Sequence, residues 1–201
     1  MIAVFGGTFD PVHLGHIHVA KTLCTGYRFE KFYFVPNFRN PLKDSMASAC
    51  GEDRLKMLQA AISETKEARF LVLDWEIQRP EPSFTVDTIE RLVRTTAKEV
   101  AFIVGDDAFS SIQDWKEPTK LFSLAHCIVV IRNHPDASFI PSAMIAIGIE
   151  KFFKSEKNCW KHSDGARWIR AENVSALPYC ATRLRTEISK LWVKDFIPDS
   201  R

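Results

Sequence analysis

Close to its start the chain reads Ile2-Ala3-Val4-Phe5-Gly6-Gly7-Thr8-Phe9-Asp10-Pro11-Val12-His13-Leu14-Gly15-His16. The four apolar residues predict a short strand, the glycine pair predicts a turn, and a helix is expected from Leu14 onward. Paired glycines let a ligand approach the backbone closely, and a helix N-terminus leaves backbone N–H groups free to bind anions. This turn is therefore a candidate site for a phosphate.

Two histidines lie at the start of the expected helix, His13 and His16, and their spacing of three places both rings on one side. They are either donors to a phosphate or helix-start residues with satisfied hydrogen bonds. The stretch matches neither the GxGxxG pattern nor the GxxxxGK[ST] loop. Cys159 and His162 form half of a zinc site at most, so we expect no metal to be bound by protein ligands.

Outward from this turn, apolar runs alternate with stretches of helical period, which is typical of an α/β fold with a parallel sheet covered on both faces. The apolar residues of segment 133–170 show no single period and leave its structure undetermined. The predicted strands cover residues 2–5, 31–35, 70–73, 100–104, 127–131 and 167–171, and the predicted helices cover 14–23, 54–62, 86–93 and 182–193. In such sheets ligands bind beyond the carboxyl ends of the strands.

The length of 201 residues indicates one domain. Because 27 basic and 25 acidic side chains leave a formal charge of only +2, nonspecific binding to nucleic acid or to membranes is not expected. Five scattered cysteines without a CxxC pair favour a reducing compartment, and no run approaches the roughly 20 apolar residues of a membrane span. We expect a cytoplasmic protein, and the sequence does not indicate its oligomeric state.

The stretch GGTFDPVHLGH resembles the signature of the HxGH nucleotidyltransferase superfamily, and specifically that of the bacterial nicotinate-mononucleotide adenylyltransferases. Residues 179–185 are similar to the second family signature, ISxTxxR, with Cys180 in place of the usual serine. The resemblance is faint over residues 133–170. Other segments follow in family order: Val35-Pro36-Asn37, Arg54 to Leu58, Pro82 to Thr85, Phe102 to Asp107, Trp115 and Arg132.

The resemblance implies a Rossmann-like, doubly wound domain over residues 1–201, in which 172–201 form a helical part that contacts phosphate. It implies transfer of the adenylyl group of ATP to nicotinate mononucleotide, which yields nicotinate adenine dinucleotide and pyrophosphate in NAD biosynthesis. The acceptor phosphate attacks directly, without a covalent enzyme intermediate. ATP and nicotinate mononucleotide are the expected partners, and Mg²⁺ is expected to bind through the ATP phosphates.

The resemblance also implies roles for individual residues. The expected catalytic residues are His13, His16 and Arg185. The expected ATP-binding residues are Gly6, Gly7, Thr8, Phe9, Gly15, Lys43, Gly105, Asp107 and Thr182. The expected nicotinate mononucleotide-binding residues are Asn37, Thr85 and Trp115. Asp106 is expected to be a solvated neighbour, and loop 36–49 is a candidate lid.

Three alternatives remain open at this point. In the first two alternatives the acceptor of the adenylyl group is nicotinamide mononucleotide or phosphopantetheine. In the third, the chain is a nucleotide-binding module without catalytic activity. Thr85 and Trp115 favour a pyridine mononucleotide, and the presence of His13, His16 and Arg185 favours catalysis. From the residues alone, two interpretations are equally supported: Thr182 and Arg185 bind phosphate, or Thr182 is only an N-cap and Arg185 only an exposed helix cation.

Overall fold

The first strand of the chain lies near the middle of one β-sheet. The computed structural model describes residues 1–42, 47–132, 134, 136–175, 177 and 181–187. Within that part the sheet order is β3-β2-β1-β4-β5-β8-β7-β6. The strands are β1 (Ile2–Gly7), β2 (Lys31–Pro36), β3 (Phe70–Val72), β4 (Val100–Gly105), β5 (His126–Ile131), β6 (Phe153–Glu156), β7 (Cys159–His162) and β8 (Trp168–Asn173).

Helices cover both faces of this sheet, as the alternating pattern predicts. They are α1 (Leu14–Gly26), α2 (Gly51–Thr65), α3 (Thr85–Thr96), α4 (Asp106–Phe109), α5 (Pro118–Leu124) and α6 (Phe139–Ala146), and residues 181–187 are also helical. Successive strand residues point to opposite faces, so Val4 joins the core under α3 and α5 while Ala3 joins the core under α1 and α2. The α/β prediction with a doubly covered sheet is confirmed.

Segment 133–170 holds the part of the fold that the sequence did not predict. It contributes α6 and the hairpin of β6 and β7, which pair antiparallel with each other. Strand β7 also pairs antiparallel with β8, whereas the other six strands form a parallel array. The sheet is thus mixed at this edge, where β6 is short and mostly exposed and carries no alternating apolar pattern. The helix predicted over 182–193 is described only over 181–187.

The strand order creates a crevice at the carboxyl end of β1. The chain passes from β1 outward to β2 and β3, and then crosses to the other side of β1 to form β4 and β5. Loops that follow β1 and β4 therefore leave the sheet side by side and diverge. Gly6 and Gly7, where the sequence predicts a turn, are the last two residues of β1, and Gly105 is the last residue of β4, directly before α4.

A buried arginine on α2 joins the loops around this crevice. The Arg54 side chain is 2% exposed, and its Nη1 donates to the main-chain oxygens of Thr8 at 2.7 Å and Asn37 at 2.8 Å. Its Nε donates to the main-chain oxygen of Ala49 at 3.3 Å. Burial lowers the pKa of Arg54, and the nearby charge of Asp10 opposes that effect. One guanidinium therefore holds three loops together.

We expect Arg54→Met to reduce the free energy of unfolding by about 3 kcal/mol or more, because it leaves several buried carbonyl acceptors without their donor and removes the positive charge near Asp10. Urea denaturation of the purified variant measures the loss. Lys56→Met is the matched control on the same helix, since the Lys56–Glu52 ion pair is exposed to solvent. Its unfolding midpoint should stay at the wild-type value, and equal effects of the two substitutions would contradict the role assigned to Arg54.

Candidate active site

A cleft of about 380 Å³ opens beyond the carboxyl ends of β1 and β2. Its walls come from four segments that are distant in sequence, residues 8–10, 37–40, 47–48 and 181–185, together with the side chain of His16. Both signature segments therefore border the same cavity. Lys43, which the resemblance places among the ATP-binding residues, lies outside the described part of the chain, as does Cys180.

Packing explains one glycine of the signature turn and not the other. A Cβ atom on Gly7 would lie 3.1 Å from Cζ of Phe9, closer than side chains normally approach. Phe9 is buried with a left-handed φ of 47°, and its ring packs edge-on against His16 at a centroid distance of 5.0 Å. By contrast, a Cβ on Gly6 would meet no atom within 4 Å. The space beside Gly6 is therefore open to a ligand.

The two histidines stack against each other, with ring centroids 3.8 Å apart. The backbone N–H of His13 donates to Nδ1 of His16 at 3.2 Å. Burial, with smaller contributions from His13 and Arg132, lowers the pKa of His16 to about 3. The ring is therefore neutral near pH 7, and because Nδ1 accepts a hydrogen bond, its proton resides on Nε2. His16 offers the cleft a neutral N–H donor.

At the carboxyl end of β4 the structure corrects one expectation. Asp106 is not a solvated neighbour, because its side chain is fully buried. Its Oδ2 accepts hydrogen bonds from the backbone N–H groups of Arg132 at 3.0 Å and His134 at 2.8 Å. A buried carboxylate needs such donors, and here it fixes the loop that follows β5. Asp107 is the exposed member of the pair and lies 3.4 Å from Nη2 of Arg132.

Gly105 is explained by the same arrangement. A Cβ on Gly105 would lie 2.5 Å from Oδ1 of Asp107 and 2.7 Å from Nη2 of Arg132, so a side chain there would displace the ends of both of these side chains. The positive charge of Arg132 also contributes to the lowered pKa of His13, after the larger effect of burial. The loops that follow β1 and β5 are thus electrostatically coupled.

The second signature segment meets the first across the cleft. Nη2 of Arg185 donates to Oγ1 of Thr182 at 3.2 Å, and its Nη1 contacts the main-chain oxygen of Asp10. The same nitrogen lies 3.7 Å from Oδ2 of Asp10. Thr182 and Arg185 are therefore brought to the cavity that His16 borders.

The three residues predicted to bind the mononucleotide are not all in this cavity. Asn37 lines it; its Nδ2 donates to Oγ1 of Thr8 at 3.4 Å, and its buried Oδ1 has no hydrogen-bond partner within the described structure. Thr85 begins α3 and Trp115 follows a 3₁₀ turn outside the cleft. These two segments are adjacent, because Lys116 pairs with Asp87 at 2.9 Å.

Sequence reasoning gave no site role to Arg54 or Asp10. On α2 the structure buries Arg54 together with Leu58 and Ile62. The spacing of four between these buried residues was the available signal, but an arginine is rarely assigned to a core face. Asp10 lies inside the signature itself, but roles were assigned to its neighbours there, such as the histidines, and not to Asp10.

The sequence profile of the cytidylyltransferase-like family matches residues 4–186, which is most of the chain. The chain belongs to this family of nucleotidyltransferases. Within it, a probable nicotinate-nucleotide adenylyltransferase of Aquifex aeolicus is 40% identical over 134 residues, which are 66% of this chain and 78% of that protein. A probable enzyme of the same name from Chromobacterium violaceum is 30% identical over 190 residues, 94% of this chain and 87% of that one. The resemblance to the bacterial nicotinate-mononucleotide adenylyltransferases is confirmed.

Solved structures agree on the fold. The nicotinic acid mononucleotide adenylyltransferase of Plasmodium falciparum, solved in complex with NaAD, superposes with a TM-score of 0.65 at 16% identity and covers 92% of this chain and 82% of its own. Among the helices that the structure describes, none is long and apolar enough to cross a membrane.

The neutral state of His16 predicts how stability depends on pH. The unfolded chain takes up a proton on this ring below about pH 6.5, while the folded protein does not until about pH 3. Stability therefore falls as the pH falls through this window. Between pH 7 and pH 5 we expect the wild type to lose about 2 kcal/mol more than His16→Gln, measured by urea denaturation at each pH. Parallel losses in both proteins would show that His16 is charged in the folded state.

Proposed function

We propose that this protein transfers the adenylyl group of ATP to nicotinate mononucleotide, forming nicotinate adenine dinucleotide and releasing pyrophosphate. The observation that carries the proposal is the meeting of the two signature segments in one cleft, with His16 on one side and Thr182 and Arg185 on the other. The names of the curated relatives support the same reaction. Its place would be in NAD biosynthesis, in the cytoplasm, where a reducing environment suits the free thiols of Cys24, Cys50, Cys127 and Cys159.

In the proposed reaction an oxygen of the acceptor 5′-phosphate attacks the α-phosphorus of ATP. A new P–O bond forms, the bond between the α-phosphorus and the bridging oxygen breaks, and the electron pair leaves with pyrophosphate. The acceptor itself is the nucleophile, so the protein has to position the phosphates and stabilise their charge. The Nε2–H of His16 and the backbone at Gly6 are suited to the α-phosphate. Arg185 and Thr182 would contact the β- and γ-phosphates, together with Lys43.

Magnesium enters this proposal with the substrate, as MgATP. Within the described residues, no three side chains of histidine, cysteine, aspartate or glutamate gather to hold a metal ion. Phosphate oxygens and water are the ligands that Mg²⁺ prefers at nucleotide sites. The ion would neutralise charge on the leaving pyrophosphate while the protein binds the remaining oxygens.

The nucleosides would extend from the cleft toward the neighbouring strand ends. Asp107 is exposed at the end of β4, where its carboxylate can accept hydrogen bonds from a ribose. The Thr85 and Trp115 segments, which are joined through Lys116, would bind the pyridine ring and its carboxylate, with Asn37 between them and the phosphates. We also propose that residues 1–201 act as one domain whose C-terminal part, 172–201, contributes the phosphate contacts.

Replacement of His16 tests the donor role. We expect His16→Ala to remain folded and to lose roughly a hundredfold or more in kcat, because one preorganised donor to the reacting phosphate is removed. His16→Gln should retain more activity than His16→Ala, since its amide can supply a neutral N–H near the Nε2 position. The control is His18→Ala on the same helix, where the ring lies near Ser175 at the surface. Near-normal turnover of His16→Ala at saturating MgATP would refute the assigned role.

The choice of acceptor tests the finer part of the proposal. Pyrophosphate release should be measured with nicotinate mononucleotide, nicotinamide mononucleotide and phosphopantetheine at the same MgATP concentration. We expect kcat/KM for the acid to exceed that for the amide by roughly tenfold to a hundredfold, because backbone N–H groups and the Thr85 hydroxyl would face the amide NH₂ with another donor.

Thr85→Val should lower the ratio of kcat/KM for the acid to kcat/KM for the amide. The control is Thr95→Val, near the other end of α3, which should leave this ratio unchanged. Equal rates with acid and amide, or a preference for the amide, would remove the acid-specific assignment. Adenylyl transfer to phosphopantetheine and to neither mononucleotide would show that the acceptor is not a pyridine mononucleotide. Binding of ATP without transfer to any acceptor would favour a non-catalytic nucleotide-binding module.

A further inference from the structure

Asp10 stands in the wall of the proposed phosphate cleft, although its charge is of the wrong sign for an anion site. Its side chain is 8% exposed. One carboxylate oxygen, Oδ2, accepts from the backbone N–H of Ser48 at 2.6 Å, and the other, Oδ1, accepts from the backbone N–H of Ala49 at 3.1 Å. Both oxygens are thus fixed by a segment that comes from across the cleft.

Two arginines flank this carboxylate. Arg54 lies on the interior side, where its charge interacts with that of Asp10 and its own donors are taken by main-chain oxygens. Arg185 lies on the cleft side, with Nη1 in contact with the main-chain oxygen of Asp10 and 3.7 Å from Oδ2. Because its two oxygens accept from two backbone N–H donors, the Asp10 carboxylate cannot move far to follow Arg185. Within the Asp10–Arg185 ion pair, Asp10 therefore has a fixed position, and it orients the guanidinium of Arg185.

An arginine side chain has many rotamers and loses considerable conformational entropy when a ligand orders it. Here Thr182 Oγ1 accepts from one terminal nitrogen of Arg185, and the other nitrogen contacts the main-chain oxygen of Asp10 and forms an ion pair with its carboxylate at 3.7 Å. An arginine that is ordered before the ligand arrives binds it at a lower entropic cost. This gain opposes the repulsion between the Asp10 carboxylate and a phosphate.

We propose that Asp10 is a positioning residue that holds the Arg185 guanidinium at the cleft for the ATP phosphates. The proposal rests on the proposed function, because it assigns Arg185 to the triphosphate. Asp10 acts through Arg185 and does not itself bind substrate. If the Asp10 carboxylate only repelled the phosphates, removing its charge would tighten ATP binding. If it positions Arg185, the same change weakens ATP binding, so the sign of the effect separates the two roles.

The first experiment is Asp10→Asn, which keeps the shape of the side chain and removes its charge. Its amide can accept from only one of the two N–H donors and presents NH₂ to the other. We expect the dissociation constant of MgATP, measured by calorimetry, and the KM for MgATP each to rise about tenfold, with a smaller change in kcat, as for the loss of a contact made equally in ground and transition states. An unchanged or lower dissociation constant would overturn the proposal.

The second experiment is a double-mutant cycle with Arg185→Ala. Once Arg185 is absent, Asp10→Asn should no longer weaken MgATP binding, because the side chain through which Asp10 acts is gone and only the repulsion between its carboxylate and the phosphates is left to be removed. Independent effects that multiply would show that Asp10 works through the signature turn and not through Arg185, and would overturn the proposal.

The third experiment leaves Asp10 in place and decides the question if Asp10→Asn does not fold. Ala49→Pro deletes the backbone N–H that holds Oδ1, while Ala49→Ser keeps it. We expect Ala49→Pro to weaken MgATP binding severalfold and Ala49→Ser to match the wild type, with thermal unfolding recorded for both. Equal affinity in the two variants counts against the proposal.

These binding measurements also keep the two proposals apart. A wild type that binds MgATP but transfers no adenylyl group would refute the proposed reaction, while the affinities would still decide the role of Asp10. A wild type that does not bind MgATP overturns both.

Discussion

The guanidinium of Arg54 is the interaction on which the arrangement of the cleft depends. It is buried and donates to main-chain oxygens of the turn after β1, the turn after β2 and the segment that leads into α2. Loops beyond a parallel sheet have few partners of their own, because the sheet ends before they begin. A single charged side chain with several donors supplies those partners without filling the cleft. The histidines and Asp10 sit on a turn whose position this arginine fixes.

Much of the fold follows from patterns that are local in sequence. Runs such as Val100 to Val104 are buried on both faces and are therefore recognisable as parallel strands, and the glycine pair marks the end of β1. The hairpin of β6 and β7 has no such pattern, since an exposed edge strand needs no apolar alternation. Asp106 was misjudged because burial of a carboxylate depends on donors from Arg132 and His134, which tertiary structure alone brings near. The same reason hides Arg54, whose acceptors come from three separate loops.

The signature turn also shows why the candidate site was easier to locate than to interpret. Some of its residues support the structure of the turn and others face the ligand, and the amino-acid sequence alone does not show which residue has which role. Gly7 gives room to the Phe9 ring, and that ring supports His16, whereas Gly6 faces open space. Asn37 was found through family resemblance, yet its buried and unpartnered Oδ1 is a structural reason to expect a ligand there. Each role that the family resemblance implies therefore has to be compared with the structural surroundings of its own residue.

The distance in sequence between the two halves of the cleft has a consequence for synthesis of the protein. Arg185 follows Asp10 by 175 positions, whereas the last strand in the described part of the chain ends at Asn173. A ribosome therefore delivers all of the described strands before it delivers the wall that faces His16. A polypeptide released between these two points would contain the described sheet and the first signature without the second. Nucleotide affinity would report that translation had passed Arg185, which the presence of secondary structure would not.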